Sequence, residues 1–306
     1  MSAENIYQIL DKYRKNPDRL RYDGSLLVQQ IEYFIDHQLP IVFVFPGCHG
    51  KVNNRDLVID HMPDLSEYFG IERIARMCME IEALHLPGVQ LFMVHEGHFY
   101  VDTVLIQSDE TMDEYIFQLR KMLKYYPFIR SLTLKDFFDE SYSHVECRKM
   151  FFEQYAPTLS VVDQLIEKEI FHKNLYHKYF DGIFYDFQQQ YLENKDHFLN
   201  YEQYVKYNAT QQLQIWIGFR NLLKKHFSGV NFIRLSSVFK DPSVTDQVAM
   251  NYIPDHHLEK PSFRCVVKLE NGSYGFIKKK DAIEKKLTLS DHLGYKFYMA
   301  VKHNFN

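Results

Sequence analysis

The chain has 306 residues, 46% apolar and 25% charged, with a net charge of −4 and a pI near 6.4. Such a length and balance describe a globular protein with a sizeable core, and the acidic pI excludes a general nucleic-acid binder with a basic face. No run approaches the ~18 apolar residues a membrane-spanning helix needs.

In chain order, residues 3–37 read as two helices. They break near Asn16-Pro17-Asp18 and Tyr22-Asp23-Gly24-Ser25, after which Leu26, Leu27, Ile31, Phe34 and Ile35 recur at helical spacing. Ile41-Val42-Phe43-Val44-Phe45 is a wholly apolar run ended by Pro46-Gly47, the signature of a strand buried on both faces. A helix is expected over 68–85, with Ile71, Ile74, Ala75, Cys78, Ile81 and Leu84 on one face. Pro87-Gly88 ends it and a second buried strand runs over 89–95. Ser108-Asp109-Glu110 caps a helix over 109–125, and Phe128 to Leu134 is a third strand.

Residues 145–228 read as helical almost throughout. Strand signals return at Asn231 to Ser236, then in a hairpin of Phe263–Leu269 and Tyr274–Lys278 about the turn Glu270-Asn271-Gly272-Ser273, and in Lys296 to Val301. The alternation of strand and helix predicts an α/β fold: a Rossmann-like, mostly parallel sheet with flanking helices, a helical insertion and a C-terminal β-hairpin. One domain over 1–306 is the economical organisation, with the helices of 145–228 as a separate lobe the alternative.

Cys48, Cys78, Cys147 and Cys265 are scattered, as expected of free thiols in a reducing cytosol. The N-terminal residues show no secretory leader pattern. A cytoplasmic protein is therefore expected. The 22 Tyr and 25 Phe point to a large aromatic core or a pocket for an aromatic ligand.

Ligands in open α/β sheets gather at the carboxyl ends of the strands, and three such ends are dense in polar residues. After the first strand, Gly47, Gly50, Lys51, Asn53 and Arg55 form a loop whose N–H groups and cations suit a phosphate; a solvated loop is the alternative. After the second comes His95-Glu96-Gly97-His98-Phe99-Tyr100-Val101-Asp102. It supports three readings: a metal site of His95, His98 and Asp102, an acid/base site using Glu96 or a histidine, or a β-turn about Gly97 that caps the strand. The third is Arg234-Leu235-Ser236, where a guanidinium in an apolar strand needs an anion: a structural carboxylate such as Asp64 or Glu67, or a substrate group. Asp255-His256-His257 and Lys278-Lys279-Lys280 read as exposed loop and strand-edge residues.

Taken in order, these pieces resemble the pyoverdine/dityrosine biosynthesis proteins, a family that includes the isocyanide (isonitrile) synthases and the spore-wall N-formyltyrosine enzyme. The resemblance rests on Phe45-Pro46, Met62-Pro63-Asp64-Leu65-Ser66-Glu67, Leu86-Pro87-Gly88-Val89, Glu96 to Asp102, Ser108-Asp109-Glu110 with Tyr115, Ser131-Leu132 before Asp136-Phe137-Phe138, and Ile233-Arg234-Leu235-Ser236. It implies a Rossmann-like fold and an enzyme that joins an amino acid to ribulose 5-phosphate, the sugar's C2 becoming the isocyanide carbon, without a metal or organic cofactor. An Fe(II)/2-oxoglutarate oxygenase is the implied downstream partner. On this reading Glu96, His98 and Asp102 move protons; Lys51, Asn53 and Arg55 hold phosphate; and Arg234, Ser236 and Arg264 bind anionic substrate groups. An N-formyl product and a non-catalytic ligand-binding homologue are the alternatives.

The chain departs from the family pattern at the same places. Gly47 to Asn53 replaces a shorter Lys-Ser-x-Asn, and Ser237-Val238 replaces Ile-His. Lys260-Pro261-Ser262-Phe263 replaces Thr-Pro-Trp-His, while His95 and Glu96 stand where Ser and Asp are common.

Overall fold

In the computed structural model, the residues described are 2–13, 25–47, 50–105, 107–188, 191–192, 197, 199–236, 247–249 and 264–300. The helix break at 16–24, Cys48, His49, Ser237-Val238, Asp255-His256-His257 and Lys260 to Phe263 lie outside them.

Helices α1 (Ala3–Tyr13) and α2 (Ser25–Asp36) precede β1 (Ile41–Gly47), which is buried at all seven residues because it is central in its sheet and both faces of that sheet are covered. Its neighbours are β2 (Val89–His95) and β4 (Ile233–Ser236); beyond them lie β3 (Ile129–Leu132) and β5 (Gln247–Ala249). The order is β3-β2-β1-β4-β5 and every pair is parallel. The chain thus works outward from β1 to β3, then returns to the other side of β1. Such a reversal opens a crevice at the carboxyl ends of β1 and β4, where this fold class binds ligands.

Alternation along the strands sorts the two faces. Phe43, Phe45, Leu91, Met93, Ile233 and Leu235 join the core beneath α1, α2, α3 (Leu65–Glu82) and α5 (Asp109–Leu123). Each fully buried Phe or Leu there contributes roughly 1.5–3 kcal/mol. Val44 and Val94 face the other way, onto α6 (His144–Gln154) and the long α9 (Tyr201–His226). Between these two helices run α7 (Leu159–Lys168) and α8 (Ile170–Asp186). They pack with α9 over Val52, Leu57 and Val58 of the loop that follows β1.

The expected helix at 68–85 begins earlier, at Leu65, because Asp64 and Glu67 form a reciprocal cap: Asp64 accepts from Ser66 N–H, and Glu67 accepts from Asp64 N–H. The hairpin is present as β6 (Cys265–Lys268) and β7 (Tyr274–Ile277). It belongs to a second sheet of order β7-β6-β9-β8, completed after the short α10 (Lys279–Glu284) by β8 (Thr288–His292) and β9 (Tyr295–Met299). This sheet packs through Val266 and Phe297 on Leu65 and Tyr68 of α3. Sequence reading misses β8, whose five residues are almost all exposed and carry little apolar pattern.

Candidate active site

Glu96 follows β2 and is the N-cap of a single helical turn, α4 (Gly97–Tyr100), which runs on into a π-helical turn at Val101–Leu105. The β-turn about Gly97, one of the three readings of this stretch, is therefore a helical turn. π-turns recur at functional sites because the extra residue re-aims side chains. Two contacts lock this one to the loop after β1: Asn53 N–H donates to Leu105 O (2.9 Å), and the Gln107 amide donates to Lys51 O.

Four side chains near these segments are linked by burial and electrostatics. Glu96 and Arg234 are buried polar groups, and Tyr179 of α8 is buried with them. Tyr100 packs against all three major cores. Arg234 lies between Ile233 and Leu235 and in register with Val44, so alternation turns it to the α8–α9 face. Burial, then the charge of Glu96, pushes the phenol pKa of both Tyr100 and Tyr179 well up, while Arg234 pulls it down. Each phenol therefore feels both Glu96 and Arg234. Two neutral phenols, a carboxylate and a guanidinium can transfer protons and grip an anion within one partly dry space.

The other expected site residues are placed as follows. Asn53 and Arg55 are exposed on the β1 loop. Ser236 ends β4, opposite Ala249 of β5. Arg264 is paired with Asp186 at the end of α8 through two nitrogens (3.2 and 3.3 Å), and Lys278 reaches the same carboxylate at 2.6 Å. Because Asn54 also donates to Asp186 O (2.9 Å), the β1 loop and Arg264 converge on that helix end.

Lys51, a phosphate candidate by sequence, is instead fully buried, with its ammonium on Asp64 (3.0 Å), Glu67 (2.9 Å) and the Ser66 hydroxyl (3.0 Å). Three partners match the three N–H donors of an ammonium. Burial alone would lower the Lys51 pKa, but the two carboxylates outweigh it and raise it. Asp64 and Glu67, the structural alternative to a substrate group as partner for Arg234, are held by Lys51.

His98 and Asp102, expected beside Glu96 as proton carriers, are directed to α5 and α6. His98 is fully buried, its Nδ1 2.8 Å from Asp109 and its Nε2 3.1 Å from Asp113. Asp102 is 71% exposed and pairs with Arg148 (3.1 Å). His95 points elsewhere, with Nε2 2.8 Å from the Ser131 hydroxyl, which also accepts from Arg120 Nε (3.1 Å). A cluster of His95, His98 and Asp102 is therefore not assembled. Burial, then the Arg120 and His98 charges, pushes the His95 pKa down to about 3, so its ring is neutral. Sequence reading misses Tyr179, which lies in a stretch dense in Tyr and Phe with nothing to single it out; Tyr100 falls within the motif after β2 but has no role assigned from it.

The family model described as "Pyoverdine/dityrosine biosynthesis protein" matches residues 31–290. The chain is a member of the pyoverdine/dityrosine biosynthesis family. Similar members include the L-tryptophan isonitrile synthase AmbI1 of Fischerella ambigua, 25% identical over 189 residues, which are 59% of this chain and 59% of that protein. Another is the isocyanide synthase xanB of Aspergillus fumigatus, 26% identical over 67% of this chain and 26% of that protein. The spore wall maturation protein DIT1 of Saccharomyces cerevisiae is 24% identical over 35% of this chain and 20% of its own length. The chain thus spans less than two thirds of these curated relatives. The family fold is present in full: the crystal structure of PvcA from Pseudomonas aeruginosa superposes with a TM-score of 0.83 over 98% of this chain and 99% of that one, at 21% identity. Among the described residues, no helix is long and apolar enough to cross a membrane.

Proposed function

We propose that this chain is an isonitrile synthase-type enzyme that condenses an amino acid amine with ribulose 5-phosphate. The observation that carries the reading is the grouping of buried Glu96, Tyr179 and Arg234 with half-buried Tyr100 near the sheet's switch point, in a family whose members include isonitrile synthases.

The chemistry asks for few groups. The amine must be neutral to attack the C2 ketone, so a base is needed, and Glu96 takes that role. Water then leaves to give an imine, which loses protons from neighbouring carbons as phosphate departs. Tyr100 and Tyr179 keep their protons because burial raises their pKa, and so they donate to developing negative charge on oxygen. Arg234 grips the amino acid carboxylate through two N–H groups, a geometry lysine does not reproduce. Asn53, Arg55 and Arg264, gathered about the β1 loop and the end of α8, receive the phosphate, with Ser236 beside Arg234. His98 and Asp102 position the helical turn that carries Glu96 rather than touch substrate. The product passes to an oxygenase of the Fe(II)/2-oxoglutarate class.

The test is incubation of the purified chain with ribulose 5-phosphate and each proteinogenic amino acid in turn, followed by phosphate assay and mass spectrometry. Turnover with one amino acid is expected. Phosphate release that persists undiminished in Glu96→Gln would show that another group is the base.

A further inference from the structure

We propose that His98, Asp109 and His144, with Asp113 as the outer partner of both rings, form a site for a late first-row divalent cation, Zn²⁺ by donor type, that clamps α4, α5 and α6 together outside the reaction centre.

Three helices bring the donors to one place. One ligand atom each from His98, Asp109 and His144 lies within 4.8 Å of the others. The two imidazoles stack at 3.7 Å and 9°. Both offer Nε2 to the same carboxylate, since Asp113 is 3.1 Å from His98 and 3.2 Å from His144. Donors about a tetrahedral zinc stand roughly 2.0–2.2 Å from the metal. With Nε2 of each ring on Asp113, the ion would lie on the Nδ1 side beside Asp109, and the stacked rings would tilt to aim both lone pairs at it. Two imidazoles with one or two carboxylates is a donor set that suits zinc and its neighbours rather than Ca²⁺ or Mg²⁺.

Charge and hydrogen-bond grammar point the same way. The carboxylates of Asp102, Asp109 and Asp113 meet one permanent cation among the described residues, Arg148, which reaches Asp102 at 3.1 Å and Asp109 at 2.7 Å. His98 has a carboxylate at each ring nitrogen, yet a neutral imidazole donates from only one. A ring lone pair therefore faces an anion unless a cation lies between. The Nδ1 of His144 is buried and has no hydrogen-bond partner among the described residues, which leaves that nitrogen for a ligand. Arg148 would remain on Asp109 as the outer partner that orients a ligating carboxylate.

Location gives the site a purpose. His98 is two residues past Glu96, while Asp109 and Asp113 are on α5 and His144 opens α6. An ion held there fixes the turn on which Glu96 sits.

The experiment uses the full chain, stripped with a chelator and then titrated with Zn²⁺ by calorimetry and thermal unfolding, with Co²⁺ as a spectroscopic stand-in. One equivalent should bind and raise the melting temperature by several degrees, with a Co²⁺ absorption band typical of nitrogen and oxygen ligands. His144→Ala and Asp113→Asn should each weaken binding at least tenfold, a loss seen even for partners of metal ligands. Asp113 is 58% exposed, so its variant should fold. Undiminished Zn²⁺ binding in both variants would place the ion elsewhere. Absence of binding, with acidification alone giving the same stabilisation, would show that protons and not a metal balance the cluster. Either result overturns the proposal.

Discussion

Lys51 sits with its ammonium between Asp64 and Glu67, two carboxylates to one cation, all three buried. Burial, offset by Lys51 and reinforced by Glu67, pushes the Asp64 carboxyl up to about 6. Replacing the lysine by methionine strands two acids in the interior, and breaking a buried pair costs about 3–5 kcal/mol. Lys51→Met should therefore show a much lower denaturant midpoint at pH 7. The deficit should shrink at pH 5, where Asp64 takes up a proton; an unchanged midpoint would mean the triad contributes nothing to stability. The lysine was visible in the sequence, but its partner was not. A cation after a strand end looks the same whether it meets a ligand or a carboxylate from the next helix. Asp64 and Glu67 were legible only as parts of a family motif, while a D-x-x-E pair ahead of an apolar run also spells the cap seen in the fold. Glu96 and Arg234 were legible because a charged group in an apolar strand context demands an explanation.

At the scale of elements, the end of β2 is pinned to β3 and α5 by neutral His95, Ser131 and Arg120. Burial, with the charges of Arg120 and His98, pushes the His95 pKa down from an ordinary 6.5 to about 3. On acidification the unfolded chain takes up this proton near pH 6.5, and the native chain only near 3. Stability is therefore full above about 6.5 and falls as pH drops through that window, by about 2 kcal/mol between 6.5 and 5 from this group. In His95→Gln the difference in unfolding free energy between pH 7 and pH 5 should be smaller by that amount; an equal difference would remove His95 as a source.

Helix α9 approaches α6 closely at Gly218, where an added Cβ would meet Phe151 Cζ at 2.8 Å and the Ala156 backbone at 2.9 Å. Overpacking costs about 1–3 kcal/mol, against about 1 kcal/mol gained in helix propensity. Gly182 in α8 has nothing within 4 Å of such an atom. Urea titration should find Gly218→Ala destabilised and Gly182→Ala stabilised by up to about 1 kcal/mol; a stabilised Gly218→Ala would contradict the packing described. Most helices and strands were readable from period and caps, but β5 and β8 were not. The turn over 97–105 was not, since a helical turn and a β-turn about one glycine share the same residues.

Over the whole molecule, the run of alternating strands and helices was enough to specify a parallel sheet, and the buried β1 marked its centre. The order of strands follows from the long helical excursion between β3 and β4, which carries the chain back across β1. Sequence could not say which polar residues meet at the resulting crevice, because Glu96, Tyr179 and Arg234 come from segments far apart in the chain. On the proposed reading, an amino acid amine and a ketose phosphate are joined at this crevice. Mass spectrometry of the chain incubated with ribulose 5-phosphate and amino acids probes that reaction at its product, with Glu96→Gln as control. One amino acid should be converted to a product bearing a new carbon on nitrogen, with phosphate released and a rate about 10²–10⁴-fold lower in the variant. No new nitrogen-bound carbon and no released phosphate, with every amino acid tried, would contradict it.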